Sequence, residues 1–291
     1  MIRTDSSFTS KGTKCSAWLY LPDHVKKPPI VIMAHGIGAE KTFRLPAFAE
    51  VFVQKGLAVF LFDYRNFGES EGEPRFYASP HRQIQDWLSA IAYVRGLDAI
   101  DSKKIALWGT SYSGGHVLVA AARTEGISSI VSQVPFVDQL DFISQKSIKS
   151  LVLFLISAIR DILRRLTFRK PFYIPLIGKP DTFALLNTPE CYDGYSNLIP
   201  KGSSWENKIT PGGLLGLYRP IREVHKIKCP VLIVCGERDS LMSVGTIKRT
   251  AKRIANVTLM ILPVNHFELY TGRAFEEIAG IECDFLCRSL Q

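Results

Sequence analysis

Short apolar segments alternate with amphipathic helical patterns through the first half of this chain, and this alternation constrains the fold more than any other feature. Ile30–Ala34, Ala58–Asp63 and Lys104–Trp108 are nearly continuous apolar runs. Runs of this length are typical of strands that are buried on both faces, as in a parallel sheet. Between them, apolar residues recur at helical spacing over about 44–55 and 81–97. The pattern predicts an α/β fold with a mostly parallel central sheet flanked by helices.

Strand patterns extend the predicted sheet at both ends of the chain. Ser6–Ser10 and Cys15–Leu21 flank a Lys-Gly turn and predict an opening hairpin. Ser129–Val134, Pro230–Cys235 and Val257–Leu262 predict three further strands, and helical patterns follow the last two of these.

Residues 138–217 interrupt the alternation. They hold one strong helical pattern, at about 148–166, and then a stretch rich in Pro, Gly, Tyr and Asn. A long irregular insertion in a regular α/β pattern is usually functional and often forms a lid. We therefore predict a core built from residues 1–137 and 218–291, with a mostly helical cap at 138–217.

The formal net charge of the chain is +9, which raises the question of an acidic partner. Seven basic residues and one acidic residue fall between Ser144 and Lys170, so the excess is concentrated in the predicted cap helix. No nucleic-acid-binding motif accompanies this cluster. The sequence therefore predicts no nucleic-acid partner.

Six cysteines are scattered along the chain, and no two pairs have the spacing of a zinc site. Their pattern favours free thiols in a reducing compartment. The first residues, Met1–Ser6, lack the apolar run of a signal peptide. These features predict a cytoplasmic protein without a metal site.

The segment Gly109–Gly115, which reads Gly-Thr-Ser-Tyr-Ser-Gly-Gly, joins an apolar strand to an apolar helical pattern. Small residues around Ser111 suit a strained strand-to-helix turn that exposes the serine hydroxyl at the carboxyl end of a sheet. Here the chain resembles the α/β-hydrolase superfamily, and in particular its esterase and Xaa-Pro-peptidase-like branches. The resemblance implies that Ser111 is a nucleophile. Ser113 stands where the G-x-S-x-G pattern has its second glycine, and serine is small enough for the turn.

His35-Gly36-Ile37-Gly38 follows the Ile30–Ala34 strand, where the superfamily places its oxyanion loop. By that resemblance, the backbone N–H groups of Ile37 and Tyr112 would hold the oxygen of a tetrahedral intermediate. Donors of this kind are each worth roughly 3–4 kcal/mol of barrier. We expect His35 to brace the loop rather than to take part in the chemistry.

The same resemblance implies an acid and a base after later strands. Asp239 follows the first strand beyond the insertion, and His266 follows the last strand. The order Ser111, Asp239, His266 is the one expected for this fold. Asp138, just past an earlier strand, is an alternative because some branches of the superfamily take their acid from that strand end. Glu237 is a weaker alternative, two positions before Asp239.

These assignments predict a carboxylesterase-like serine hydrolase that acts through an acyl-enzyme on Ser111. The substrate would be a small to medium apolar ester or related acyl compound, and the chemistry needs no metal or organic cofactor. Acyl transfer, or processing of a polyketide-like product by the same triad, is an alternative. A non-catalytic ligand receptor is another, although a receptor has no need of an intact Ser-Asp-His set. The sequence holds no signal for the oligomeric state.

The predicted cap helix at 148–166 is amphipathic and basic. One interpretation makes it the roof of the active site, with its arginines facing water and with Phe154 and Leu155 touching the substrate. The other adds weak peripheral contact with a membrane, because basic amphipathic helices suit a lipid surface. The sequence favours the plain roof. The apolar stripe of this helix comprises Ile148, Leu151, Val152, Leu155, Ile159, Ile162, Leu163 and Leu166.

Overall fold

Eight strands form one sheet in the computed structural model, which describes residues 1–291. The strands are β1 (Ile2–Ser10), β2 (Thr13–Leu21), β3 (Ile30–Ala34), β4 (Ala58–Phe62), β5 (Ile105–Thr110), β6 (Ser129–Gln133), β7 (Val231–Gly236) and β8 (Val257–Leu262). Their spatial order is β1-β2-β4-β3-β5-β6-β7-β8. The β1–β2 and β2–β4 pairs are antiparallel, and every other neighbouring pair is parallel. The predicted α/β fold with a mostly parallel sheet is confirmed.

Eight α-helices accompany the sheet: α1 (Leu45–Gln54), α2 (Pro80–Arg95), α3 (Tyr112–Ala122), α4 (Gln139–Ser144), α5 (Ile148–Leu166), α6 (Cys191–Ser196), α7 (Val244–Ala251) and α8 (Gly272–Ser289). Helix α1 packs against α8, and α2 packs against α3, so that helices cover both faces of the sheet. Every residue of β3 to β7 is buried as a result. None of the helices is both long enough and apolar enough to cross a bilayer.

The first strand is longer than its sequence pattern predicts. It begins at Ile2 rather than Ser6 because pairing with β2 continues to the Ile2–Leu21 pair. The side chains of Ile2–Asp5 are exposed, so this part of the strand lacks the alternation of buried and exposed residues that reveals a strand in a sequence.

Residues 138–217 contribute no strand to the sheet and lie between β6 and β7 in the chain. Ser147 caps the long helix α5 by accepting a hydrogen bond from the backbone N–H of Ser150, which explains why the helix begins at Ile148. Between α5 and residue 217 the chain is mostly irregular and includes the short helix α6.

Helix α5 turns most of its apolar stripe outward, contrary to the expectation that the stripe packs over the site. The buried residues of α5 are Ser157, Ala158 and Asp161. By contrast, the side chains of Ile148 and Leu166 are 82% and 70% exposed.

A buried carboxylate explains this orientation of α5. The two oxygens of Asp161 accept hydrogen bonds from the backbone N–H groups of Phe172 and Gly212, at 3.1 and 3.2 Å. Arg165 lies 3.3 Å from the same carboxylate and stacks on the ring of Tyr77. The expectation that the arginines face water is therefore wrong for Arg165, because this residue lies on the side of the helix that carries the buried Asp161.

Candidate active site

Ser111 occupies a strained turn between β5 and α3. Its φ angle is +57°, in the left-handed region that residues other than glycine rarely adopt. Gly109 permits the turn, because a Cβ at this position would collide with the backbone carbonyl of Ser113. The turn lifts the Ser111 side chain above the carboxyl end of the sheet, as a nucleophile elbow does.

Ser111, His266 and Asp239 lie together in one hydrogen-bonded row. The Ser111 Oγ is 3.1 Å from Nε2 of His266, and Nδ1 of His266 is 2.8 Å from Oδ2 of Asp239. The His266 side chain is 4% exposed and that of Asp239 is fully buried. These distances let the serine hydroxyl donate to the imidazole while the imidazole donates to the carboxylate.

Backbone hydrogen bonds fix the orientation of the Asp239 carboxylate. Its Oδ1 accepts from the N–H groups of Leu241 and Met242, at 2.8 and 3.3 Å. The other oxygen, Oδ2, is thereby directed at His266. The two oxygens of this carboxylate therefore have different partners.

The two alternative acids lie elsewhere. Asp138 caps α4 by accepting a hydrogen bond from the N–H of Leu140. It also forms a bidentate ion pair with Arg219, with N–O distances of 2.7 and 2.8 Å. Glu237 is exposed. Neither carboxylate has a hydrogen bond to His266.

Ser113, the departure from the glycine pattern, is fully buried. Its hydroxyl lies 2.7 Å from the hydroxyl of Tyr64, which in turn accepts from the Trp87 indole N–H at 2.8 Å. The serine therefore finds a partner for its polar group inside the core, where an unpaired hydroxyl would cost about 1–3 kcal/mol.

The predicted oxyanion loop lies beside Ser111, with Ile37 and Tyr112 lining the same cavity as the serine. Tyr112 is the first residue of α3, so its N–H has no acceptor within the helix. His35 is buried, and its Nδ1 is 2.9 Å from the carbonyl of Gly36, which agrees with a bracing role. Burial lowers the pKa of His35 and so favours its neutral form.

Two aromatic residues from the 138–217 segment hold the predicted oxyanion loop in place, and sequence reasoning missed both. The hydroxyl of Tyr195 donates to the carbonyl of Ile37 at 2.9 Å. The indole N–H of Trp205 donates to the carbonyl of Gly38 at 2.7 Å. The local sequence gives no sign of these bonds, because each joins residues more than 150 positions apart.

A cavity of about 350 Å³ opens beside Ser111 and His266. Of its 22 lining residues, 17 are hydrophobic, which suits an apolar ligand group. Most of the wall comes from the 138–217 segment, including Phe154 and Leu155, the two predicted contacts. A second cavity of about 30 Å³ adjoins Ser111 next to Gly36 and Phe267. The space around Ser111 is thus large on one side and small on the other.

Lys146 brings a single cationic side chain into the wall of the larger cavity. Its Nζ donates to the side-chain oxygen of Asn187 at 2.9 Å and lies 4.7 Å from the ring centre of Phe142. Burial lowers the pKa of Lys146. Sequence reasoning counted this lysine only as part of the basic cluster.

The comparison with protein families identifies one that covers half of the chain. The family of X-Pro dipeptidyl-peptidases (S15 family) matches residues 11–159, which include the β-strand and elbow that carry Ser111. This match agrees with the resemblance that the elbow sequence suggests.

Individual relatives match over nearly the full length. The chain is 39% identical over 287 residues to the quorum-quenching protein AidA of Acinetobacter baumannii, covering 98% of this chain and 94% of that protein. It is 33% identical to the polyketide transferase af380 of Aspergillus fumigatus, covering 97% and 94%.

A solved structure shares the whole architecture. The α/β hydrolase GrgF from Penicillium sp. sh18 superposes with a TM-score of 0.83 at 24% identity, covering 100% of this chain and 99% of that one. The sheet, the strained serine turn and these matches lead to one conclusion: the chain belongs to the α/β-hydrolase superfamily, as a serine hydrolase related to the S15 family.

Proposed function

We propose that the chain hydrolyses a carboxylic ester or a related acyl compound through an acyl-enzyme on Ser111. The observation that carries this proposal is the hydrogen-bonded row of Ser111, His266 and Asp239, which opens into a largely apolar cavity of about 350 Å³. A ligand receptor needs the cavity but has no use for a strained serine bonded to an imidazole. The row therefore favours catalysis over binding alone.

In the proposed reaction, His266 Nε2 takes the proton from the Ser111 hydroxyl as Oγ attacks the substrate carbonyl carbon. The Asp239 carboxylate stabilises the imidazolium that forms. The N–H groups of Ile37 and Tyr112 hold the negatively charged oxygen of the tetrahedral intermediate. His266 then gives its proton to the departing alcohol oxygen, which leaves an acyl group on Ser111. Water, deprotonated by His266, then attacks this ester; His266 returns the proton to the Ser111 oxygen as the acid leaves, which restores the free serine.

The shape of the site supports a substrate with one large apolar group. That group would fill the cavity walled by Phe154 and its neighbours, and the smaller cavity would take a small substituent. We propose that residues 138–217 form a cap on a core of residues 1–137 and 218–291. In this arrangement the cap sets specificity, because it supplies most of the cavity wall.

Acyl transfer is the second candidate, and a relative favours it. The polyketide transferase af380 is 33% identical over nearly the whole chain. The same acyl-enzyme would then react with an alcohol or thiol acceptor instead of water. Product analysis with such an acceptor present separates the two outcomes: a new ester or thioester supports transfer, and free acid alone supports hydrolysis.

A panel of p-nitrophenyl esters of graded acyl length tests the proposed function. We expect turnover by the wild type with a preference for apolar acyl groups, and only background rates for Ser111→Ala. Wild-type rates no higher than those of Ser111→Ala across the whole panel would contradict the proposal.

We predict that Phe154→Ala shifts this preference towards bulkier acyl groups. Removing a ring from the cavity wall enlarges the space for the substrate without touching the Ser–His–Asp row. The ratio of kcat/KM values for long over short esters should rise roughly 10–200-fold. Ile156→Ala is the matched control, since Ile156 lies on the same helix but is 57% exposed and does not line the cavity. Equal ratios in both variants would exclude Phe154 from the acyl site.

A further inference from the structure

The outer face of α5 is a continuous apolar surface, which we call the outer stripe. Its members are 46% to 82% exposed and recur at intervals of three and four residues along the whole helix. Soluble monomers rarely expose a contiguous apolar patch of this length without an interaction partner. The outer stripe comprises Ile148, Val152, Leu155, Ile156, Ile159, Leu163 and Leu166.

Exposed cations accompany the outer stripe. Lys149 and Arg160 lie on α5, and Arg169 and Lys170 follow its carboxyl end; all four are exposed. Asp161, the only acid between Ser144 and Lys170, is buried against Arg165. The outward side of this segment therefore presents apolar and cationic groups and no anionic one.

We infer that the outer stripe docks on an anionic lipid surface. An amphipathic helix with apolar side chains and flanking cations lies in the plane of such a surface, with its apolar face in the headgroup region. The alternative occupant is a second copy of this chain. Two copies that met through this face would bring their cations together without an exposed acid of the segment to pair with them, so charge complementarity favours the lipid.

Docking at a lipid surface would also explain where an apolar substrate comes from, and this consequence rests on the proposed function. The inner side of α5 lines the cavity through Leu151 and Phe154, while Leu155 both lines the cavity and is 48% exposed. Docking through the outer stripe would therefore hold the cavity wall against the lipid. Apolar acyl substrates partition into that phase, and they would reach Ser111 from it.

Vesicle binding tests the inference without relying on catalysis. The Ser111→Ala variant is mixed with vesicles that contain phosphatidylserine or with vesicles of pure phosphatidylcholine. The fraction of protein that sediments with each kind of vesicle is then compared. We expect binding to the anionic vesicles at low salt, with a loss at high salt because the attraction of the cations is screened.

Paired substitutions locate the binding surface. Lys149→Gln with Arg169→Gln should weaken binding roughly 30-fold, as expected for two charges near an anionic surface. Ile156→Ser with Leu163→Ser should weaken it by about tenfold or more, because these exposed side chains enter the headgroup region. Lys26→Gln with Lys103→Gln is the charge-matched control. Both lysines are exposed and lie before the amino ends of β3 and β5, whereas Ser111 follows the carboxyl end of β5. The control pair should bind like its parent.

Three results would overturn the inference. The first is no binding of the parent protein at low salt, and the second is an equal loss of binding in the control pair. The third is a concentration-dependent dimer that Ile156→Ser with Leu163→Ser dissociates, since the outer stripe would then belong to a second copy. Inactivity on the ester panel with vesicle binding intact would refute the proposed function alone.

Discussion

Asp239→Asn is expected to lower kcat/KM by about 10⁴-fold. In the wild type, Oδ1 of Asp239 accepts from two backbone N–H groups and Oδ2 faces His266. The single oxygen of an asparagine would stay with the backbone donors, so its NH₂ group would face Nδ1 of His266. Nδ1 would then have to accept a hydrogen bond, and the ring proton would move to Nε2. An imidazole protonated at Nε2 cannot take the proton of Ser111.

Asp138→Asn is the matched control for the acid assignment. An asparagine at 138 can still cap α4, but it removes the ion pair with Arg219; Asp138 has no hydrogen bond to His266, whose Nδ1 is bonded to Asp239. We expect kcat/KM to stay within about tenfold of the wild type, since the substitution touches no member of the reacting row. Both variants are measured on the same ester and checked for folding by circular dichroism. A large loss in Asp138→Asn beside near-normal activity in Asp239→Asn would reverse the assignment.

A large effect of pH on the stability of the protein is expected from the carboxyl group of Glu282 in α8. This carboxyl is fully buried, and its Oε2 accepts a hydrogen bond from the Trp108 indole at 2.7 Å. Burial raises the pKa of Glu282 to about 8, whereas a glutamate in an unfolded chain has a pKa of about 4.3. Between these two values the folded protein holds a proton that the unfolded chain releases. Stability contributed by this group is therefore greatest at low pH and falls as pH rises through the window.

Glu282→Gln should remove this part of the pH dependence. Glutamine does not titrate, and its side-chain oxygen can still accept from Trp108. As pH rises from about 5 to about 9, the wild type should lose about 4 kcal/mol of unfolding free energy that the variant keeps. Urea unfolding at several pH values measures the difference. Glu277→Gln, at an exposed site on the same helix, should show the same pH dependence of the unfolding free energy as the wild type. The same pH dependence in Glu282→Gln as well would refute the prediction.

The sheet and the candidate site could be predicted from the sequence because their signals are local. Most of the buried strands are nearly continuous apolar runs, as in Ile30–Ala34, because burial on both faces favours that composition. Ser111 and Asp239 each follow a buried strand, and His266 follows β8, the last strand of the sheet. Parallel strands end at a common edge of the sheet, so residues far apart in the sequence can meet there.

The orientation of helix α5 could not be predicted, because periodicity shows that the helix has two faces but not which one is covered. The apolar stripe suggested burial, yet the buried Asp161 and its backbone partners dock the opposite side. The hydrogen bonds of Tyr195 and Trp205 to the predicted oxyanion loop were missed for a related reason. They join the irregular part of residues 138–217 to a loop near the start of the chain, and no spacing rule links the two.

The central claim is that Ser111 is the reacting nucleophile, and labelling with a fluorophosphonate probe tests it most directly. The reagent forms a covalent bond with a serine that a neighbouring base activates. Ser113→Ala is the matched control, because Ser113 is a buried serine two residues away whose hydroxyl is bonded to Tyr64. We predict that mass spectrometry places the label on Ser111 in the wild type, that Ser113→Ala is still labelled, and that Ser111→Ala is not. Labelling that persists in Ser111→Ala would contradict the account.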